Sequence, residues 1–422
     1  MRVRLAYGKQ GLEVDLPGNV TVLERPPVAG LTDEAAAIRA ALRHPIGSAP
    51  LRDLVRPSDN VAVVFSDITR PMPNDRVLPV LLEELSHVPD SSIVLINALG
   101  THRAQTREEL VHMLGRDIVD RYCVIQHDAW HEPSLRQVGI SERGWPLKFS
   151  THYLDADVRI LTGFVEPHFF AGFSGGPKAV LPGVAGIETI MHAHDYEMVA
   201  APGSTWLETD RNPMYREIER AALLTRPSFI LNVTLNRDRE ISGVYAGDML
   251  AAHRAAREFV RENALLPVPE PFDIVVTSNS GYPLDLNLYQ AVKGMSAAAR
   301  VVRPGGAIIM AAQCWDGLPA HGRYAELLCA AESPEALLQQ VCSFKEPVQD
   351  QWQAQVQAQL QLHADIYVYS EGLTEEQIKQ ALLLPCSSIE ETMARLIEEK
   401  GPRVGVLPEG PFVVPTLMQK KC

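Results

Sequence analysis

The sequence predicts an α/β protein of two domains, each a parallel or mixed sheet flanked by helices. Three observations carry this. Short β-branched runs end directly in polar loops and are followed by helical patterns, the signature of a doubly wound sheet. A proline-rich stretch, Pro267-Val-Pro-Glu-Pro-Phe272, interrupts that pattern, and a second strand–helix series starts after it. At 422 residues the chain is too long for one ordinary core.

The elements follow in order. Residues 2–24 alternate as a hairpin would, with Gly8 to Gly11 as the turn. Asp33–Leu42 reads as a helix, closed by Pro45 to Pro50. Val61–Phe65 is a buried strand ending in Ser66-Asp-Ile-Thr-Arg-Pro71, and Ser92–Asn97 is a second, ending in Ala98-Leu-Gly-Thr-His-Arg103. Helices at about 74–86 and 106–115 follow them. Ligands of such sheets bind at the carboxyl ends of strands, where both polar loops sit. Tyr122–Gln126 and Val158–Val165 are the next strands. The latter feeds Glu166-Pro-His-Phe-Phe-Ala-Gly-Phe-Ser-Gly-Gly-Pro-Lys178, a run with neither helical nor strand period. Its glycines allow backbone to approach a ligand closely.

Phe229–Leu235 and Glu240–Tyr245 form a hairpin about Asn236–Arg239, and Ala251–Ala264 is helical. Beyond the linker, strand Asp273–Ser278 leads through loop 279–286 to helix Asn287–Arg300. Strands Gly306–Ala311 and Asp365–Ser370 are expected among helices at about 322–331, 334–342, 350–362, 374–383 and 388–399. The last strand, Pro402–Leu407, is placed with the first domain. The expected domains are therefore 1–268, with 400–422 returning to it, and 269–399.

Acidic residues outnumber basic ones, 52 to 39, which argues against a nucleic-acid partner. Cys123, Cys314, Cys329, Cys342, Cys386 and Cys422 show no C-x-x-C spacing, which fits unpaired thiols in a reducing compartment. The start, Met-Arg-Val-Arg-Leu-Ala-Tyr-Gly, has no apolar signal region, and no run reaches the roughly 20 apolar residues of a membrane span. A cytoplasmic protein is expected.

Gly172 to Lys178 has a superficial likeness to a phosphate-binding P-loop, but Ala179 stands where that motif needs Ser or Thr to hold magnesium. Nucleotide hydrolysis is rejected. Five places carry reactive types: Asp67/Thr69/Arg70, His102/Arg103, His168/Lys178, His192/His194, and Tyr289-Gln-Ala-Val-Lys293. Gln290 and Lys293, three apart on one helix face, suit a carboxylate, although such a pair is more often an exposed face. His44, His87, His112, His253 and His321 read as structural. His127, His152 and Asp128 are not assigned. His102 and His168 stand apart because each follows a buried strand.

Asp67-Ile-Thr-Arg-Pro71, Gly100-Thr-His102, Glu166-Pro-His-Phe-Phe170 with Gly-Gly-Pro-Lys178, His194 sixteen residues later, and Tyr289-Gln-x-x-Lys293-Gly-Met resemble the nickel-dependent lactate racemase family. The resemblance runs from about residue 60 to Gly405-Val-Leu-Pro-Glu-Gly-Pro411, and no motif position departs from the pattern. It implies two α/β domains with the active site in the cleft between them. It also implies a nickel pincer nucleotide, the mononucleotide of pyridinium-3-thioamide-5-thiocarboxylic acid, installed by cofactor-biosynthesis proteins. Lys178 would join it through a thioamide, and His194 would be the protein's nickel ligand. Asp67, Thr69, Arg70, Phe170 and Pro182 would hold the cofactor. His102 and His168 would be the acid–base pair. Arg70, Tyr289, Gln290 and Lys293 would bind a small 2-hydroxycarboxylate, with Trp352 and loop 279–286 as candidate pocket walls.

The residue types agree with that chemistry. The α-hydrogen of a 2-hydroxycarboxylate is too weakly acidic for a side-chain base. It leaves more easily as hydride when a base takes the hydroxyl proton and a cofactor accepts the hydride. Imidazoles titrate near neutrality and serve as base or acid, and one imidazole with soft sulfur donors suits nickel. Three alternatives stay open on the residues alone. They are a pyridoxal-phosphate racemase using Lys178, a zinc hydrolase built from His168, His192 and His194 with Glu166 or Asp195 as base, and a ligand-binding module without activity.

Overall fold

The computed structural model describes residues 1–25, 27–319 and 322–418, so His321 and Cys422 lie outside the described residues. The chain divides into two compact units. The central unit is Pro27–Ala193 with Ala201–Glu262, and the terminal unit is Met1–Pro26, His194–Ala200 and Asn263–Cys422.

The central unit is built on a sheet of six described strands. Their order is Ile241–Gly247, Phe229–Leu235, Val158–Phe164, Val61–Ser66, Ile93–Ala98, Cys123–Gln126. Neighbours pair parallel, except that the two at the Ile241 edge form the expected antiparallel hairpin. Val61 to Phe65 are all buried, the near-continuous apolar run of a strand covered on both faces. From Val61–Ser66 the chain winds outward to Ile93–Ala98 and Cys123–Gln126, then crosses to Val158–Phe164 on the other side. That reversal is a topological switch point, where open α/β sheets bind ligands. Helices start where caps allow: Asp33 accepts from the Ala36 amide, and Thr106 and Glu109 form a reciprocal capping box on Arg107–Leu114. The structure adds a hairpin, Leu135–Ile140 with Pro146–Ser150, and helices Ile187–Ala193 and Pro213–Leu224, where the sequence marked no element.

The terminal unit holds a second sheet, parallel between all described neighbours. Its order is Leu384–Pro385, Asp365–Tyr369, Val302–Ala311, Phe272–Ser278, Val404–Leu407, Thr21–Val22. It corrects the expected domain division in three ways. Val404–Leu407 does not return to the first domain but pairs with Phe272–Ser278, with Val275 opposite Gly405. Residues 2–24 also belong here: Val3, Leu5, Val14 and Leu16 of the N-terminal hairpin join Ile274, Ile309 and Val406 in one core. A four-residue apolar strand carries no mark of its partner; burial on both faces decides it. Finally, part of the expected linker is a strand, Leu265–Val268, paired parallel with Val414–Leu417. Pro267 and Pro415 are tolerated because a two-stranded ladder leaves outward positions that need no amide proton. No helix among the described residues is long and apolar enough to cross a membrane.

Candidate active site

Three loops leave the carboxyl ends of three adjacent strands of the central unit. Parallel pairing sets Ser66 opposite Ala98, so the chain emerges side by side at Asp67 and Leu99. Asp67 is 2% exposed, and its Oδ2 lies 2.6 Å from His102 Nδ1. Its Oδ1 accepts from the Thr69 hydroxyl at 2.9 Å. Burial alone would raise this carboxyl, but the imidazole of His102, with Arg70 and the Thr69 hydroxyl, holds it below the usual carboxylate range. Asp67 and Thr69, expected to hold the cofactor, are here bonded to each other, and Asp67 orients His102. Arg70 Nη1 is buried with no hydrogen bond among the described residues.

The His102 loop is locked from behind. Asn97 donates to the Gln105 side chain, Gln105 Nε2 donates to Arg103 O at 2.9 Å, and Gln126 Nε2 donates to Gln105 O at 2.8 Å. In front, the Gly100 amide donates to Gly183 O at 3.1 Å. Gly100 has φ +55°, and a Cβ there would meet Pro182. The His102 loop therefore lies against the turn that follows Lys178. Sequence reasoning missed this network; its signal was the set of amides Asn97 and Gln126 at the ends of adjacent strands, with Gln105 in the loop after the first.

The third loop is more ordered than its composition suggests. Pro167–His168 pairs antiparallel with Gly172–Phe173, and a 3-10 turn, Gly176–Ala179, carries Lys178. His168 is 6% exposed and packed by Phe169 and Phe170, with ring centroids at 5.0 and 4.6 Å. Its Nδ1 accepts from the Ala171 amide at 3.2 Å, and its Nε2 lies 3.3 Å from Lys178 Nζ. Lys178 also stands over the Phe170 ring at 5.8 Å. His192, a member of the zinc alternative, is stacked flat on Trp145 at 3.7 Å.

The remaining predicted residues fall in the terminal unit. Helix Leu288–Ala299 starts at Asn287, whose side chain accepts from the Gln290 amide. Gln290 and Lys293 are 5% and 8% exposed, so the exposed-face reading of that pair is wrong. They are sunk because Gly294 abuts Ser278 O, where a Cβ would come within 2.2 Å. Gln290 Oε1 is buried and makes no hydrogen bond among the described residues. The Tyr289 hydroxyl accepts from Trp352 Nε1 at 2.8 Å, and the Trp352 ring stands 4.9 Å from that of His194. Gln355, on the same helix as Trp352, donates to Tyr196 O at 3.0 Å. His194 is thus held by the terminal unit, although its neighbours in sequence up to Ala193 belong to the central one.

Each unit tests well against the implied nucleotide. The central unit offers an amine on a glycine turn, aromatic and proline surfaces, and a buried guanidinium nitrogen with an unmet donor, which suits an anionic group. The terminal unit offers an imidazole and, on another helix, a buried amide oxygen that makes no hydrogen bond among the described residues.

Comparisons with known proteins cover nearly the whole chain. Residues 7–206 match the model of the lactate racemase N-terminal domain, and 268–414 that of the lactate racemase C-terminal domain. The chain is 33% identical over 421 residues to a lactate racemase of Thermoanaerobacterium thermosaccharolyticum, covering 98% of each. It is 36% identical over 385 residues to one from Lactiplantibacillus plantarum, covering 90% of this chain and 91% of the relative. The structure of the T. thermosaccharolyticum lactate racemase apoprotein matches with TM-score 0.91 at 31% identity, over 98% of this chain and all of that one. A Thermotoga maritima protein shares the fold, with TM-score 0.72 at 20% identity, over 91% of this chain and 98% of that one.

Proposed function

The chain belongs to the lactate racemase family, and from that premise we propose that it interconverts the enantiomers of a small 2-hydroxycarboxylate, lactate first, with a nickel pincer nucleotide as cofactor. The observation that supports this best is the convergence of Asp67–His102, His168 and Lys178 on three adjacent strand ends at a switch point. Lys178 would be the point of covalent attachment, His194 the nickel ligand, and Phe170 and Pro182 would pack on the pyridine ring. One protein ligand suffices where the nucleotide brings its own soft donors. The chemistry such a group supplies is reversible acceptance of hydride from the α-carbon.

The protein's own residues move the proton. His102 Nε2 takes the hydroxyl proton of one enantiomer while Asp67 stabilises the imidazolium that forms, and His168 serves the other enantiomer. Arg70, Gln290 and Lys293 bind the carboxylate, and Tyr289, held by Trp352, lines the pocket. Where hydride returns to the opposite face of the planar keto acid, the opposite histidine, already protonated, gives its own proton to the carbonyl oxygen, and the opposite enantiomer forms. Cysteines 123, 314, 329, 342 and 386 are unpaired thiols, which suits the cytoplasm, where cofactor-making proteins would load the enzyme.

The test is protein produced with and without the cofactor-making enzymes. Loaded protein should carry a mass adduct at Lys178 and racemise pure D- or L-lactate, while Lys178→Ala should lose both. Loaded, active protein without an adduct would overturn the attachment. Loaded protein that leaves a panel of 2-hydroxyacids optically active would overturn the reaction.

A further inference from the structure

Beneath the glycine loop lies a histidine that the proposed reaction does not use. His253, on helix Met249–Ala264, is 1% exposed. A Cβ on Gly176 would come within 2.5 Å of its Cγ, so the loop backbone rests directly on the ring. Nε2 stands 2.9 Å from Ser174 O, and Nδ1 stands 3.2 Å from the Tyr215 hydroxyl. A carbonyl only accepts, so the hydrogen-bond network assigns the proton to Nε2 and leaves Nδ1 to accept from Tyr215. Burial, helped by the charge of Arg257, pushes the imidazole down to about 3, so the ring is neutral at working pH. It neither titrates there nor faces a ligand with a spare nitrogen.

What it grips is the junction between the two halves of the loop. The Ser174 amide donates to Glu166 O at 3.0 Å, the Glu166 amide donates to Ser174 Oγ at 2.9 Å, and that hydroxyl donates to Phe164 O at 2.7 Å. His168 follows Glu166 by two residues, and Lys178 follows Ser174 by four. Beside the ring, Asn232 Oδ1 accepts from the Gly176 amide at 2.9 Å. Gly172, Gly175 and Gly176 all have positive φ, at 78°, 74° and 51°. Such backbone has no stiffness of its own and must be held from outside.

We infer that His253, with Tyr215 behind it and Asn232 beside it, is a positioning residue that sets the spacing of His168 and Lys178. This rests on the reading of those two residues given above. Ser174 is the lever: one imidazole N–H fixes its carbonyl, while its amide and hydroxyl fix the strand exit that leads to His168. A misplacement of about 1 Å is enough to cost about 10²-fold in rate at a preorganised site.

The experiment compares parent, His253→Phe, His253→Gln and Tyr215→Phe. The first readout uses apoprotein: reductive methylation at Lys178, followed by peptide mass spectrometry with exposed Lys345 as the internal reference. His253→Phe, and more weakly Tyr215→Phe, should speed Lys178 labelling about threefold or more as the loop loosens. His253→Gln should restore most of the parent rate, because an amide can donate to Ser174 and accept from Tyr215. In loaded enzyme, His253→Phe should lower kcat about tenfold with KM within twofold of parent. Parental labelling and kcat in His253→Phe, with only a lower melting temperature, would overturn the proposal, as would a glutamine variant no better than phenylalanine. Should His253→Phe not fold, parental labelling and kcat in Tyr215→Phe overturn it. Labelling needs no cofactor, so a loaded parent that fails to racemise lactate would sink the functional reading and leave the loop measurement standing.

Discussion

His102 and His168 follow strands of one sheet, and their surroundings are opposite. The Nδ1–H of His102 donates to a buried carboxylate, which leaves Nε2 with a lone pair. The Nδ1 of His168 accepts from the Ala171 amide, and its Nε2 faces Lys178 Nζ at 3.3 Å. Hydrogen bonding thus leaves Nε2 of His102 open, whereas both ring nitrogens of His168 already face a neighbour. The difference teaches that two residues of one type, in loops of one sheet, are set apart by what each ring nitrogen touches.

The strongest way to break this comparison is to remove each ring. Losing a general base costs about 10²–10⁴ in rate, so His102→Ala and His168→Ala should each nearly abolish racemisation in both directions. Both directions must fall together, because an enzyme cannot move an equilibrium near unity. A half-reaction should survive: single-turnover formation of keto acid from the enantiomer that the remaining histidine serves. If both variants oxidise both enantiomers as the parent does, the two-base assignment is wrong.

A subtler change targets the asymmetry. Asp67→Asn puts an amide where the carboxylate accepted; its NH₂ can donate to Nδ1, which moves the proton to Nε2 and removes the lone pair there. Keto-acid formation from the enantiomer served by His102 should fall about 10²-fold, with the other enantiomer less affected. Equal losses for both enantiomers would show that Asp67 supports the fold rather than one proton transfer.

The pH dependence of stability separates these site residues from histidines packed below them. His253 is lowered to about 3, and His127 is lowered by burial despite its bond to Ala185 O. A histidine whose folded pKa lies below its unfolded value near 6.5 contributes full stability above that pH and loses it as pH falls. Asp67, also lowered, keeps its contribution until pH drops below about 4. The urea midpoint of the parent should therefore decline from about pH 6.5 downward, each such histidine adding up to about 1.4 kcal/mol per pH unit. His253→Gln should flatten that decline; an unchanged slope would contradict the neutral, buried assignment.

The smallest effect is the control. Thr106 caps the helix that follows the His102 loop, with Glu109 completing the box. Thr106→Ala should cost about 1 kcal/mol in stability and leave kcat unchanged. A fall in kcat would extend the apparatus that positions His102 into the helix cap.

Much of the site was legible because its signals are local. The β-branched runs at Val61 and Val158 mark buried strands, and polar loops after them mark ligand-side ends. Gln290 and Lys293 could be placed on one helix face by their spacing. Their burial could not be read, because it depends on Gly294 meeting Ser278 O across the packing interface.

By itself the sequence determined the family, the α/β class, most element positions, and the residue types that carry the chemistry. Those follow from side-chain period, turn residues and ordered motifs, all short-range properties of the chain. Only the tertiary structure decided which residues act on one another. Asp67 reaches His102 because two strands pair in a given register, and His253 supports a loop 79 residues away because its helix packs beneath it. His194 joins the terminal unit through Trp352 and Tyr196, and Val404–Leu407 inserts beside Phe272–Ser278. Partner choice of this kind is settled by burial and hydrogen-bond satisfaction summed over the whole packed unit, and no stretch of sequence carries that sum.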